Sequence, residues 1–250
     1  MSVFAIADLH LSFGVSGKNM DVFGEIWRDH PKKIEEKWTR VIGPDDLVLI
    51  PGDISWAKHL TEALPDLVFI DSLPGTKVMI KGNHDYWWSA ISKVKEIAPE
   101  SLHFVQNDSF DFNDISVAGS RLWDTDEYNF DGCIDYHDNK TVRPLMEKNE
   151  DPVEREKIFT RELQRLEMSL KALSLSAKHR ICMTHYPPVG IDLKDSRASK
   201  LLEKYGVEAC VFGHVHSMKK GLNPFYGEKN GVRYHFACAD FIDFNPIKII

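Results

Sequence analysis

Lys81-Gly82-Asn83-His84-Asp85 is the stretch whose reading decides the fold. It follows an apolar run, Val78-Met79-Ile80, and precedes an aromatic, helix-compatible segment that begins at Tyr86. The stretch therefore reads as a turn at the C-terminal end of a buried strand, where open α/β sheets bind their ligands. Asn83 offers a neutral oxygen, His84 can ligate or move a proton, and Asp85 can hold an imidazole in one tautomer. Gly and Asn are also ordinary turn residues, so the chemical reading depends on whether other strands end in the same way.

Four other segments have that character. Val3-Phe4-Ala5-Ile6-Ala7 suits a strand buried on both faces and ends in Asp8-Leu9-His10. In extended backbone, residues two apart point the same way, so Asp8 and His10 are expected to face one site as oxygen and nitrogen donors for a divalent transition metal. Leu47-Val48-Leu49-Ile50 ends at Pro51-Gly52-Asp53, where a lone carboxylate either caps the next helix or bridges two cations. Arg180-Ile181-Cys182-Met183 runs into Thr184-His185-Tyr186-Pro187-Pro188, whose prolines stiffen the turn and display His185. Ala209-Cys210-Val211-Phe212 runs into Gly213-His214-Val215-His216. Gly-His-x-His is the most specific single match, because 15 Gly and 11 His in 250 residues predict only about 0.03 chance occurrences.

Helical periodicity separates these strands. It runs from Pro31 to Ile42, from Ala57 to Ser72 with Pro65 as a break or kink, from Tyr86 to Ala98, from Glu154 to Leu175 and from Ser199 to Tyr205. Strand and helix alternate through the first three strands, which argues a parallel sheet with right-handed crossovers. Phe104-Val105, Phe110 to Phe112 and Ile115 to Ala118 predict an antiparallel pair or meander, and Val232 to Cys238 a further strand. The apolar tail from Phe241 to Ile250 is expected to pack on the body or on a second subunit, which leaves a homo-oligomer open. Tyr86, Trp87 and Trp88 read as core aromatics or as a pocket lining.

Two polar stretches stand apart from this pattern. Residues 12 to 30, with Phe23 and Trp27, read as a loop over the site entrance. Residues 120 to 150 carry Arg121, Trp123, Asp124, Tyr128, Phe130, Tyr136 and His137 with little periodicity. They are too long for an ordinary connection and are expected to form a lid or cap inserted in a single domain spanning residues 1 to 250.

Composition bounds the function. Hydrophobic residues at 43% and charged residues at 28% are ordinary for a globular chain. The net charge of -7 argues against a general affinity for nucleic acid, which needs a basic face. Cys133, Cys182, Cys210 and Cys238 lack Cys-x-x-Cys spacing and read as reduced thiols. No segment approaches the roughly 20 apolar residues of a membrane span, and the N-terminus lacks a signal-peptide pattern. A soluble, cytoplasmic protein is expected.

The ordered set Asp-x-His, Gly-Asp, Gly-Asn-His-Asp, Thr-His and Gly-His-x-His, from Asp8 to His216, resembles the calcineurin-like metallophosphoesterase superfamily. The resemblance implies a four-layer αββα sandwich of two mixed β-sheets with helices on both outer faces. It implies two metals, one held by Asp8, His10, Asp53 and His216, the other by Asp53, Asn83, His185 and His214, with Asp53 bridging. Two cations about 3.5 to 4 Å apart can share a hydroxide that attacks phosphorus in line. The mixed donors suit Mn first, then Fe, Zn, Co or Ni, over Ca or Mg. His84 would assist the leaving group, with Asp85 orienting it.

Departures from particular branches narrow the substrate. Ile54-Ser55-Trp56 follows Asp53 where the serine/threonine phosphatases have Asp-Arg-Gly, and Asp85 stands where they have Glu. A large protein substrate is therefore not expected. No Tyr follows Asp53 as in the purple acid phosphatases, so neither is a redox-active ferric site. A small phosphodiester is the leading substrate class, with a phosphomonoester or a pyrophosphate as the alternative and a non-catalytic scaffold or a nuclease behind. Trp56, Lys58, Arg121, Trp123 and Tyr186, with His59 nearby, are the candidate substrate-binding residues by proximity to the motifs.

Overall fold

The computed structural model describes residues 1–135, 151–219, 221, 223 and 225–250. Its first strands are β1 (Val3–Ala5), β2 (Leu47–Ile50), β3 (Thr76–Met79), β4 (Leu102–Phe104), β5 (Ser109–Phe112) and β6 (Ile115–Ser120). Then come β7 (His179–Thr184), β8 (Ala209–Phe212), β9 (Phe225–Lys229), β10 (Val232–Phe236) and β11 (Ile247–Lys248). One sheet has the order β11-β1-β2-β3-β4 and the other β5-β6-β7-β8-β10-β9. Both are mixed: a parallel centre is flanked by antiparallel strands, β11 in the first sheet and β5 and β9 in the second.

The period of two along each strand divides the apolar runs between two layers. Val3, Ala5, Leu47, Leu49 and Val78 of the first sheet pack against Ile115, Val117, Ile181, Met183, Ala209 and Val211 of the second. Their alternate neighbours Phe4, Val48, Ile50 and Met79 face outward, against α1 (His30–Val41), α2 (Leu60–Ser72) and α3 (Ile91–Ile97) through Ile34, Trp38, Leu67, Ile70 and Val94. On the other side, Ala118, Cys182, Cys210 and Phe212 meet Leu166 and Leu170 of α4 (Pro152–Lys171) and Ala198 and Leu202 of α5 (Arg197–Lys204). The layers are therefore α, β, β and α, and strands that read as continuous apolar runs are buried on both faces.

Several sequence expectations are refined. β4 pairs parallel with β3, so the chain crosses between sheets after Phe104, and only β5 and β6 form the expected antiparallel pair. The tail supplies β11, with Val3 N–H donating to Ile250 O (3.0 Å) and Ile249 N–H to Val3 O (2.8 Å). α2 begins at Leu60 and continues through Pro65. The segment from Tyr86 is not helical until Ile91, because side chains hold it as a turn. Lys81 Nζ donates to Trp88 O (2.6 Å), Trp87 Nε1 to Asp85 Oδ1 (3.0 Å) and Trp88 Nε1 to Gln106 Oε1 (2.9 Å). Trp87 and Trp88 are core residues, while Tyr86 is 61% exposed. β9 escaped the sequence reading, although its hairpin turn, Asn230-Gly231 with φ of 50° and 81°, carries the dipeptide that favours a two-residue turn with both φ values positive.

Within the 120–150 stretch, residues 136–150, with Tyr136 and His137, lie outside the described residues. The rest is tied to the body. Tyr128 Oη donates to Pro187 O (2.6 Å), Asp135 N–H to Ser217 O (2.8 Å) and Lys219 N–H to Cys133 O (2.8 Å).

Leu49, fully buried between the two sheets, gauges the layered core. Leu49→Ala should lower unfolding stability by about 2–5 kcal/mol in a urea titration, and a loss below about 1 kcal/mol would contradict its place in the inter-sheet layer.

Candidate metal centre

The strand ends converge because their turns are braided. Asp8 N–H donates to Gly52 O (3.1 Å), His10 N–H to Asp53 O (3.0 Å), His84 N–H to Asp53 Oδ1 (2.8 Å) and His214 N–H to Asp8 Oδ2 (3.0 Å). Asp8, His10, Asp53 and His214 all have positive φ, between 46° and 71°. The extended geometry inferred for Asp-x-His is therefore incorrect, and His214 of Gly-His-x-His is left-handed too. Left-handed residues, not strand alternation, bring these side chains into one place, a conformation that costs about 1–3 kcal/mol at a non-glycine residue. The neighbouring glycines are required by contact. A Cβ on Gly82 would meet the backbone and carboxylate of Asp53, one on Gly213 the carboxylate of Asp8, and one on Gly52 would lie 2.8 Å from His185 Nδ1.

All seven side chains read as ligands from the sequence come together in two groups. In the first, His10 Nε2 lies 3.1 Å from His216 Nε2 and 3.7 Å from Asp53 Oδ2, and Asp8, His10 and Asp53 offer donor atoms within 4.8 Å of one another. In the second, Asn83 Oδ1 lies 2.6 Å from His185 Nε2 and 3.0 Å from His214 Nδ1. Asp53 Oδ1 is 3.5 Å from His185 Nε2. The oxygens of Asp53 thus divide between the groups, and Asp53 is not the cap of the next helix, which begins after His59.

A cation fits this arrangement. Asp8 Oδ1 is buried and has no hydrogen-bond partner among the described residues, a costly state for a carboxylate oxygen unless a cation or proton meets it. Burial pushes Asp8 and Asp53 above the usual carboxylate range. It also pushes His10 and His214 well below the usual histidine range and His185 down to about 3. The imidazoles are therefore held neutral, the form that ligates metal. His216 is the exception. Burial lowers it, but the Asp240 carboxylate beside its Nδ1 (3.3 Å), together with Asp8 and Asp53, outweighs that and holds it above its usual value.

Asp240 is the residue the sequence reading missed. It accepts from Ser217 N–H (3.1 Å) as well as facing His216, and so fixes both the Gly-His-x-His turn and the outward nitrogen of its second imidazole. The signal was present, since Asp240 follows the apolar run Val232 to Ala239 apart from Arg233 and His235, another carboxylate just beyond a strand. Cys238 also lies within 4.8 Å of Asp8 and His216. Trp27 packs edge-on to His10 (5.9 Å) and His216 (5.8 Å), which places the 12–30 loop against the site as expected.

Asp85 requires a correction. Its oxygens accept from Ile54 N–H (2.9 Å), Ser55 N–H (3.1 Å), Trp87 Nε1 (3.0 Å) and Gly82 N–H (2.8 Å). It clamps two motif turns together and does not orient the His84 imidazole. The His84 ring instead lies against Trp56, with centroids 4.5 Å apart.

The substrate-binding candidates divide. Trp56 stacks on His10 (4.9 Å) and Tyr186 lies 3.8 Å from the His214 ring, with Trp123 behind it at 5.1 Å. Arg121 is half-buried over Trp123 and reaches Glu162 (3.3 Å). Lys58 and His59 do not join the site. Both are exposed at the start of α2, where Glu62 Oε2 accepts from their backbone N–H groups.

A Mycobacterium phage D29 protein, "Gene 66 protein", is 33% identical over 84 residues, 34% of this chain and 40% of its own length. The phosphopantetheinyl hydrolase PptH of Mycobacterium tuberculosis superposes over 100% of this chain and 95% of its own, at 12% identity and a TM-score of 0.52, a likeness of fold. A protein of unknown function from Aquifex aeolicus, AQ665, aligns over 99% of this chain and 95% of its own at 16% identity and a TM-score of 0.49. No helix among the described residues is long and apolar enough to cross a membrane. The family model for calcineurin-like phosphoesterase matches residues 1–218, and the chain belongs to that family.

Proposed function

We propose that this chain hydrolyses a small phosphodiester at a centre of two divalent transition-metal ions. Asp8, His10, Asp53 and His216 hold one, and Asp53, Asn83, His185 and His214 the other. The observation that carries the reading is the position of Asp53. It lies 3.7 Å from His10 Nε2 through one oxygen and 3.5 Å from His185 Nε2 through the other. Two such ions, when bound, supply a water of lowered pKa and neutralise charge on the phosphoryl oxygens.

The chain's own residues supply the rest. His84 is tied to Asp53 through its backbone N–H, so its imidazole is held in register with the bridging carboxylate. Burial lowers its pKa, so the ring is neutral and donates an N–H toward the leaving oxygen. Trp56, packed on both His84 and His10, excludes water from one side and offers an aromatic face to the substrate. Tyr186, packed on the His214 ring, and Trp123 behind it form a second wall. We take residues 1–250 as one domain, with Trp123 of the described segment 120–135 contributing to this wall. Four free thiols support a cytoplasmic setting, and Mn is the metal to load first.

Three measurements test the reading. Chelated protein reloaded with Mn should hydrolyse an aryl phosphodiester faster than the matching monoester; the reverse order would replace the diester with a monoester and leave the ligand assignment standing. Asp53→Asn should deplete both metals when content is measured by mass spectrometry, and loss of one alone would refute bridging. His84→Ala should cut turnover by about 10²–10⁴ with metal content retained. A parallel loss of metal would make His84 a ligand instead.

A further inference from the structure

Beside the metal centre lies a separate cavity of about 210 Å³, lined among others by Lys81, Trp88, Gln106, Arg121, Glu162 and Arg165. It adjoins the centre through the chain itself. Lys81 stands two residues before Asn83, and Arg121 O accepts from the N–H of Tyr186, the neighbour of His185, at 2.9 Å. None of its polar groups is used in the chemistry described above except Arg121 as a candidate substrate residue.

Its hydrogen-bonding capacity is unbalanced. Three cations, Lys81, Arg121 and Arg165, line it with a single carboxylate, Glu162. The Glu162 side chain is 2% exposed, and its Oε1 is shared by Arg165 Nη1 (2.8 Å), Arg121 Nη2 (3.3 Å) and Arg161 Nε (3.5 Å). One carboxylate orients the guanidinium groups but does not neutralise them. Lys81 Nζ spends one hydrogen on Trp88 O and keeps two. Gln106 accepts from Trp88 Nε1 through Oε1, which leaves its NH₂ group facing no acceptor among the described residues. The cavity is thus rich in pre-oriented donors and poor in acceptors, and its excess of positive charge, with Lys81 and Arg121 partly buried and Arg165 at the exposed rim, favours an anion. Arginine forks suit phosphate in particular.

We infer that this cavity is a subsite for a second phosphate group of the substrate, so that the preferred phosphodiester carries a further phosphomonoester on one of its arms. The inference rests on the phosphodiesterase reading above and names its substrate class. Arg165 and Lys81 bind that group, and Gln106 donates to it. Arg121 stands between the subsite and the metal centre and contacts the chain of atoms that joins the two phosphates.

The test uses a matched pair of chromogenic substrates with the Mn-loaded protein. One is the p-nitrophenyl diester of a nucleoside monophosphate. The other is the same diester with a further phosphate on one of the two remaining ribose hydroxyls. The wild-type protein should favour the second by about tenfold or more in kcat/KM, expressed mainly in KM. Arg165→Gln should bring the ratio close to one and Arg165→Lys should retain part of it, at equal metal content. Glu162 keeps Arg121 and Arg161 in the variants, so folding is preserved. Equal wild-type rates on the two substrates, or a preference that Arg165→Gln does not change, would overturn the subsite. If neither diester is hydrolysed, the phosphodiesterase reading fails, and calorimetry of the chelated full-length protein with inorganic pyrophosphate decides the cavity by itself. Saturable binding that Arg165→Gln abolishes supports it, and no binding refutes it.

Discussion

Two buried carboxylates, Asp8 and Asp53, touch the backbone of turns that come from other strands, and the site depends on that close approach. Asp53 lies against Gly82 and Asp8 against Gly213, at positions where any side chain would collide with them. Each carboxylate accepts a backbone N–H from the turn it touches or from the next residue but one, His84 for Asp53 and His214 for Asp8. The glycines of Gly-Asn-His-Asp and Gly-His-x-His thus serve the packing of carboxylate on backbone and not only turn geometry, while that of Gly-Asp makes room for Gly82 and the His185 ring.

Burial has an electrostatic consequence. Four imidazoles, an amide and two carboxylates placed together away from water resist carrying charge, which raises the acids and lowers His10, His185 and His214. A cluster of neutral imidazoles beside an orphaned carboxylate oxygen is poorly satisfied without a cation. Asp240 works against this trend at His216 alone, holding one imidazole by its outer nitrogen. Asp85 does comparable work on backbone, since four donors from two motif turns meet its oxygens. Both are supports for the groups that would touch metal or substrate, and both are carboxylates that spend their capacity on hydrogen bonds inside the protein.

The four-layer arrangement explains how such a site can be held firmly. Each central strand is anchored on both faces, one against the other sheet and one against helices. The left-handed residues at Asp8, His10, Asp53 and His214 follow immediately on these strands or lie within a few residues of them. Backbone strain persists where the surrounding structure overdetermines it, and here two rigid sheets bring their strand ends to one place.

By itself the sequence determined an α/β class with a parallel sheet, because apolar runs of strand length ending in Asp, Asn or His recur in a fixed order with helical periodicity between them; the four layers came with the family that the ordered motifs resemble. It also singled out the seven residues that converge, since motif order survives whatever path the chain takes. It did not reveal which sheet each strand joins, because a strand buried on both faces has the same composition in either. Nor did it reveal the left-handed turns, which are set by contacts such as Asp53 with Gly82 between residues far apart in the chain. The role of Asp85 and the importance of Asp240 were decided by tertiary structure for the same reason. A carboxylate has no preferred partner until folding removes water from around it, and the partner it then finds is whichever donor the packed strands deliver.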